Sequence, residues 1–276
     1  MHITPPDIIA NWQKYAEKEP YFALLSHNKR NKFAAAEDLV AALEADETVE
    51  RAVVFGFAFR DIGLCRYVND YVIEKVKEYP EKLTGFLVTP VRSGETAKEI
   101  ERCVRLGLAG VGELFPEGQG FDLEDKAQMR TLAETCTELS LPLLLHANEP
   151  VGHYYAGKTD VSLRQLETFV SDNGELKIIL AHFGGGILFY ETMKEIKEKF
   201  RNVYYDTAAA PFLYDSRIYR AVKALGLCEK ILFGSDFPLL APSRYLPALE
   251  ESGLDPKEKN LILTGNAQKL LGKKTL

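Results

Sequence analysis

Cysteine is scarce and unpatterned in this chain. The four present (Cys65, Cys103, Cys136, Cys228) lie far apart with no CxxC pair, which argues against a zinc ribbon or a disulfide framework. Reduced, mostly buried thiols are the expectation. Basic residues are outnumbered: 34 Lys and Arg against 40 Asp and Glu leave a formal charge of -6, the wrong sign for a general nucleic-acid binder. Trp12 and the tyrosines show no periodic spacing that would build a base-stacking platform. Long apolar runs are missing too. None approaches the roughly 20 residues of a membrane span, and no basic-then-apolar opening reads as a signal peptide. The expectation is a cytoplasmic protein without nucleic-acid or membrane partners.

What the chain does have is alternation. Short apolar, β-branched runs recur at 51–57 (RAVVFGF), 83–88 (LTGFLV), 109–114 (AGVGEL), 141–146 (LPLLLH), 177–182 (KIILAH), 202–206 (NVYYD) and 230–236 (KILFGSD). Between them, amphipathic segments at 66–79, 96–106, 125–139, 162–171, 187–200 and 216–225 predict helices, with two more at 243–252 and 256–271. Continuous rather than alternating apolar runs suit strands buried on both faces. Strict β-then-α order implies parallel strands with right-handed crossovers. Seven such units in 276 residues, with no linker or low-complexity tract, predict one domain over 1–276, a (β/α)₈ barrel more than an open doubly wound sheet.

Polar residues close several of the runs: Glu113, His146, His182, Asp206 and Asp236. Singly, each has a plain reading: a hydrogen-bonded histidine, or an aspartate capping a helix or turn. Together they sit where a (β/α)₈ barrel builds its active site, at the C-terminal ends of its strands. Imidazole and carboxylate suit zinc or a similar divalent ion, with manganese or iron as alternatives. Such an ion lowers the pKa of bound water towards about 7, and a neighbouring carboxylate or imidazole can move the proton. His182 precedes Phe183 and three glycines, which leave backbone uncovered for close approach. In the loop after His146, His153, Tyr155 and Lys158 are placed to reach a small-molecule substrate. His27 reads as a surface residue, and the pair Asn69–Asp70 as structural.

The segments GVGELFPEGQGF (110–121), LPLLLHANEPVGHYYAGK (141–158), IILAHFGGG (178–186), YYDTAAAP (204–211), ILFGSDFPL (231–239) and LILTGNAQKLLG (261–272) together resemble the amidohydrolase superfamily. The resemblance is to its amidohydrolase-related branch of metal-dependent hydrolases and decarboxylases. It implies that His146 is a metal ligand. His182 would be a ligand in binuclear members or a catalytic group in mononuclear ones. Asp236 would bind metal and serve as base, and Glu113 stands where some members place a bridging carboxylate. The family's first strand ends in an H-x-H pair. Here the chain opens Met1-His2-Ile3-Thr4-Pro5-Pro6, which supplies the second histidine as His2 and leaves the first before Met1, so the resemblance implies a barrel whose first strand is truncated or missing. The corresponding expectation is a natural product with a short extra segment upstream.

Three functions follow as expectations. The first is hydrolysis of an amide, ester or lactone-like bond by activated water. The second is decarboxylation of an aromatic or muconate-like acid at the same site. The third is a non-catalytic barrel that has lost its metal, an idea that rests on the departure at the first strand. A homodimer is the default assembly.

Overall fold

The computed structural model describes residues 1–26, 33–45 and 49–272; His27 lies outside them. Among them, seven parallel strands form in chain order: β1 (Ala52–Val54), β2 (Leu83–Gly85), β3 (Val111–Leu114), β4 (Leu143–Leu145), β5 (Ile178–Leu180), β6 (Val203–Asp206) and β7 (Ile231–Leu232). Each falls inside one of the predicted runs. The ladders β1–β2 and β3 through β7 are joined by Ala109 N–H to Gly85 C=O (2.8 Å) and by the Leu87–Val111 bridge. On the other side, Ile3 N–H donates to Phe55 C=O (3.0 Å) and His2 N–H to Phe237 C=O (2.8 Å). Residues 1–3 therefore hold the first-strand position, between β1 and the segment that follows β7.

Three of the helices between strands start where the sequence supplies caps. Asp61 accepts from Leu64 N–H ahead of Ile62–Glu78, and Asp125 accepts from Ala127 and Gln128 ahead of Lys126–Glu138. Ser162 and Gln165 form a reciprocal capping box on Leu163–Asp172, satisfying amide groups that a helix start leaves bare. Three predicted helices are broken. Residues 187–200 divide into a 3₁₀ segment (Ile187–Thr192) and a helix (Lys194–Lys199), because Met193 between them is extended. Residues 243–252 begin as a 3₁₀ turn (Pro242–Tyr245) and continue as Leu246–Glu250.

The third break has a visible cause. Between Pro256–Asn260 and Asn266–Leu271 the chain widens into a π turn, Leu261–Gly265. A widened turn frees a carbonyl from the helical ladder, and Ile262 C=O accepts from Phe233 N–H just past β7 (3.0 Å). Asn266 Nδ2 donates to Ile231 C=O (2.7 Å). The C-terminal helix thus covers backbone of β7 that would otherwise be a bare sheet edge.

Among the described residues, four helices precede β1: Pro6–Ala10, Trp12–Ala16, Pro20–Ser26 and Ala36–Ala45. Strand and helix side chains share one continuous apolar core. Cys65, Cys103 and Cys136 are buried in it as free thiols, with Cys228 partly exposed. No helix among the described residues is long and apolar enough to cross a membrane.

Candidate metal centre and active site

The ends of consecutive strands bring the candidate residues to one point. Glu113 lies in β3, His146 follows β4, His182 follows β5 and Asp206 ends β6. Glu113 Oε1 is 2.9 Å from His146 Nδ1 and 3.8 Å from His182 Nε2; Glu113 Oε2 is 3.4 Å from His2 Nε2. His2 Nε2 is in turn 3.6 Å from Asp236 Oδ1. Glu113, His146 and His182 each offer one ligand atom within 4.8 Å of the others. All five residues expected to bind metal are therefore brought into one constellation.

The chemistry of this donor set fits a divalent cation. Glu113 is buried, and among the described residues its only ion-pair partners are imidazoles. A buried carboxylate without a lysine or arginine needs another source of positive charge. His146 also faces a second acceptor, Gly157 C=O, across 2.8 Å from Nε2, whereas a neutral imidazole donates from one nitrogen only. A cation at Nδ1 would relieve both demands. Burial pushes the Glu113 carboxyl up, but hydrogen bonds from His146 and His2 and the imidazole charges hold it well below the usual range. Burial lowers His182, yet the charges of Glu113, Asp236 and Asp206 raise it above the ordinary value overall. Asp206 is pushed up to about 6, chiefly by burial.

Backbone geometry fixes His182. Residues 182–186 all have positive φ, from 54° to 93°, a conformation that glycine tolerates and that histidine adopts more readily than most residues. Gly185 is required twice over, since a Cβ there would lie 2.2 Å from Asn148 C=O as well as on a left-handed φ. Asp206 Oδ1 accepts from His182 N–H (2.9 Å) and Ala208 N–H (3.0 Å). Ala208 C=O then accepts a hydrogen bond from His182 Nδ1–H (2.9 Å), leaving Nε2 directed at Glu113. Asp206 was legible only as a strand-end acid; its grip on the His182 backbone depends on neighbours distant in sequence.

The loop after β4 folds back over the centre. Tyr155 donates to Glu149 Oε2 (3.0 Å), and Lys158 Nζ binds Glu149 Oε1 (3.3 Å), His153 C=O (3.4 Å) and Val151 C=O. Lys158 thereby staples the loop. His153 is exposed, with its ring 6.2 Å from that of Tyr155. Phe115 stacks on His146 at 4.7 Å, and Tyr21 packs on Phe115 at 5.3 Å. These two aromatic walls escaped the sequence reading; Tyr21 lies outside the β-then-α pattern and carries no motif. A cavity of about 440 Å³ bordered by Val53, Leu144, Ile179 and Leu263 reaches Glu113, Asp206 and Asp236.

With this geometry in view, the sequence matches the amidohydrolase family over residues 27–273. The chain belongs to that family. The 2-amino-3-carboxymuconate-6-semialdehyde decarboxylase of Dictyostelium discoideum is 25% identical over 259 residues, covering 80% of this chain and 70% of that protein. Among solved structures, the dihydroxybenzoic acid decarboxylase of Polaromonas sp. JS666, with bound manganese and 2-nitroresorcinol, superposes with a TM-score of 0.71 at 19% identity. That alignment covers 98% of this chain and 94% of the other. A protein designated a probable 2-pyrone-4,6-dicarboxylic acid hydrolase, from Acinetobacter baumannii, gives 0.67 at 16% identity, covering 98% and 97%. Both structures share the fold, and the family and its relatives are enzymes, as the sequence reading expects.

Proposed function

We propose that this amidohydrolase-family chain is a divalent-metal-dependent enzyme that cleaves a bond at a carbonyl or carboxyl carbon of a small molecule, with hydrolysis as the leading reading. The convergence of Glu113, His146 and His182, with His2 and Asp236 alongside, carries this reading. His2, Glu113, His146 and Asp236 would hold one ion, zinc being the first to test and manganese or iron next. When bound, the ion supplies Lewis acidity and activates water near neutral pH. Asp236, less buried than Glu113, accepts the proton of the attacking water. His182 is oriented by Ala208 C=O through Nδ1. With Nδ1 committed to that carbonyl, Nε2 faces the centre and is the atom that would carry a proton to the developing negative oxygen or the leaving group. His153 and Tyr155 border the substrate from the loop above, and Lys158 holds that loop down.

Decarboxylation is the second reading, favoured by the decarboxylase relative that aligns with 80% of this chain. There the bond to the carboxyl carbon breaks, carbon dioxide leaves, and His182 delivers a proton to the carbon left behind. Elemental analysis and a panel of lactones and unsaturated carboxylic acids test both. We expect one equivalent of zinc or manganese per chain, abolished by His146→Ala. Asp236→Asn should retain folding and lower turnover by about 10²–10⁴-fold. Carbon dioxide release would select the lyase; a folded protein that takes up no metal would sink both readings.

A further inference from the structure

The loop that follows β4 is cross-linked within itself. Lys158 Nζ binds Glu149 Oε1 (3.3 Å), Val151 C=O and His153 C=O (3.4 Å), which engages all three protons of an ammonium. Tyr155 donates to Glu149 Oε2 (3.0 Å), and Lys158 N–H closes a turn onto Tyr155 C=O (2.9 Å). Two buried residues clamp the base. Asn148 Oδ1 accepts from Thr159 N–H (2.9 Å) and Oγ1–H (2.7 Å), and Asn148 Nδ2 donates to Thr159 C=O (3.1 Å). Above that clamp the mooring is slight. Among the described residues, and apart from the neighbouring Asn148, the one hydrogen bond that ties residues 149–158 to the barrel joins His146 Nε2 and Gly157 C=O (2.8 Å).

That bond depends on where His146 carries its proton. A carbonyl oxygen only accepts, so Nε2 must be protonated to hold Gly157. Nδ1 faces a second acceptor, Glu113 Oε1 (2.9 Å), and a neutral imidazole has one N–H to divide between the two. With Nδ1 given to a cation, the proton is fixed on Nε2. Metal-bound histidines characteristically donate from the second ring nitrogen to a carbonyl or carboxylate.

We propose that His146 is also the positioning residue of this loop: metal loading locks its Nε2–H onto Gly157 and so holds in place the loop that carries His153 and Tyr155. The inference rests on the metal-site reading above, in which those two residues border the substrate. Because Lys158 binds the loop into one unit, a latch at Gly157 acts on all of it. The substrate wall is thereby assembled together with the metal centre, and the metal-free protein has a looser one. Linkage makes the effect reciprocal: the loop tightens metal binding by the factor by which metal closes the loop.

Chymotrypsin reads the loop directly, since Tyr154 at its tip is exposed and nicking follows the population of the opened form. One hydrogen bond shifts such an opening by about three- to tenfold. Cleavage of the full chain after Tyr154 and Tyr155, followed by mass spectrometry, should slow by about that factor when zinc is added. Cleavage at Phe189 and Tyr190, exposed outside the loop, should change little. Replacing residues 150–157 with glycine and serine removes the latch; that variant should still bind one zinc, about three- to tenfold more weakly in a competition titration. Unchanged nicking of the loop in the zinc form would overturn the inference. So would equal slowing at Phe189 and Tyr190, the mark of general stabilisation, or equal zinc affinity in the variant and the wild type. Wild type that takes up no metal would overturn the functional reading itself, and this inference with it.

Discussion

At the scale of single residues, the centre depends on carboxylates set against imidazoles and on second partners that aim the rings. Asp206 illustrates this: one of its oxygens holds both the His182 amide and the amide of Ala208, whose carbonyl fixes the His182 ring. Removing such a supporting group from a metal site typically costs 10–100-fold in affinity or activity. Because His182 carries the proton and is not among the four proposed ligands, Asp206→Ala should lower turnover by about that factor in steady-state assays. Asp206→Asn, which keeps an acceptor oxygen, should lose less. Equal turnover in both variants and the wild type would remove Asp206 from the site. The acid itself was visible in NVYYD; its partner was not, because the contact spans 24 residues.

At the scale of elements, the loops after β4 and β5 depend on each other. Gly185 approaches Asn148 so closely that a methyl group cannot fit, and its φ of 61° adds strain for any L side chain. Gly185→Ala should lower stability by about 2 kcal/mol or more and displace His182, so both Tm and turnover should fall together. A Tm loss with unchanged turnover would separate the loop from the centre. Lys158 acts on the same scale. With its bonds to Glu149 and the loop carbonyls removed in Lys158→Ala, residues 149–158 should be nicked faster in limited proteolysis while metal content stays the same. The run FGGG pointed to uncovered backbone, but which loop would press against it required the fold.

At the scale of the molecule, a buried polar network ties the barrel wall to its outer helices. Asn69 exchanges hydrogen bonds with both backbone groups of Val88 (2.8 and 2.9 Å) and donates to Glu99 (2.8 Å). Glu99 also binds Arg102 (2.9 Å) and Arg66 (3.3 Å), and Arg102 reaches Asp70 (2.7 Å). This is the structural role expected for Asn69–Asp70. Burial pushes the Glu99 carboxyl up, but hydrogen bonds from Arg102, Asn69 and Cys103 leave it below the ordinary value of 4.5. Its contribution is thus full above pH 4.5 and is lost as pH falls through the lowered folded value. Because the arginines are partly exposed, Glu99→Gln should cost on the order of 2–3 kcal/mol at neutral pH. Denaturant titrations across pH should show the difference from wild type shrinking at acid pH; a constant difference would refute the charge-based account.

The sequence by itself determined the order of strands and helices, the positions of all seven strands, and the acids and histidines at their ends. Those features depend on local periodicity and on residues next to one another in the chain. It could not determine which helices would break at Met193 or widen at Leu261–Gly265, since those breaks answer to distant partners such as Phe233. Nor could it reveal Tyr21, whose place beside Phe115 depends on a helix packing across the barrel mouth. Tertiary structure decided these points because burial and long-range pairing, rather than local propensity, set which backbone groups find partners.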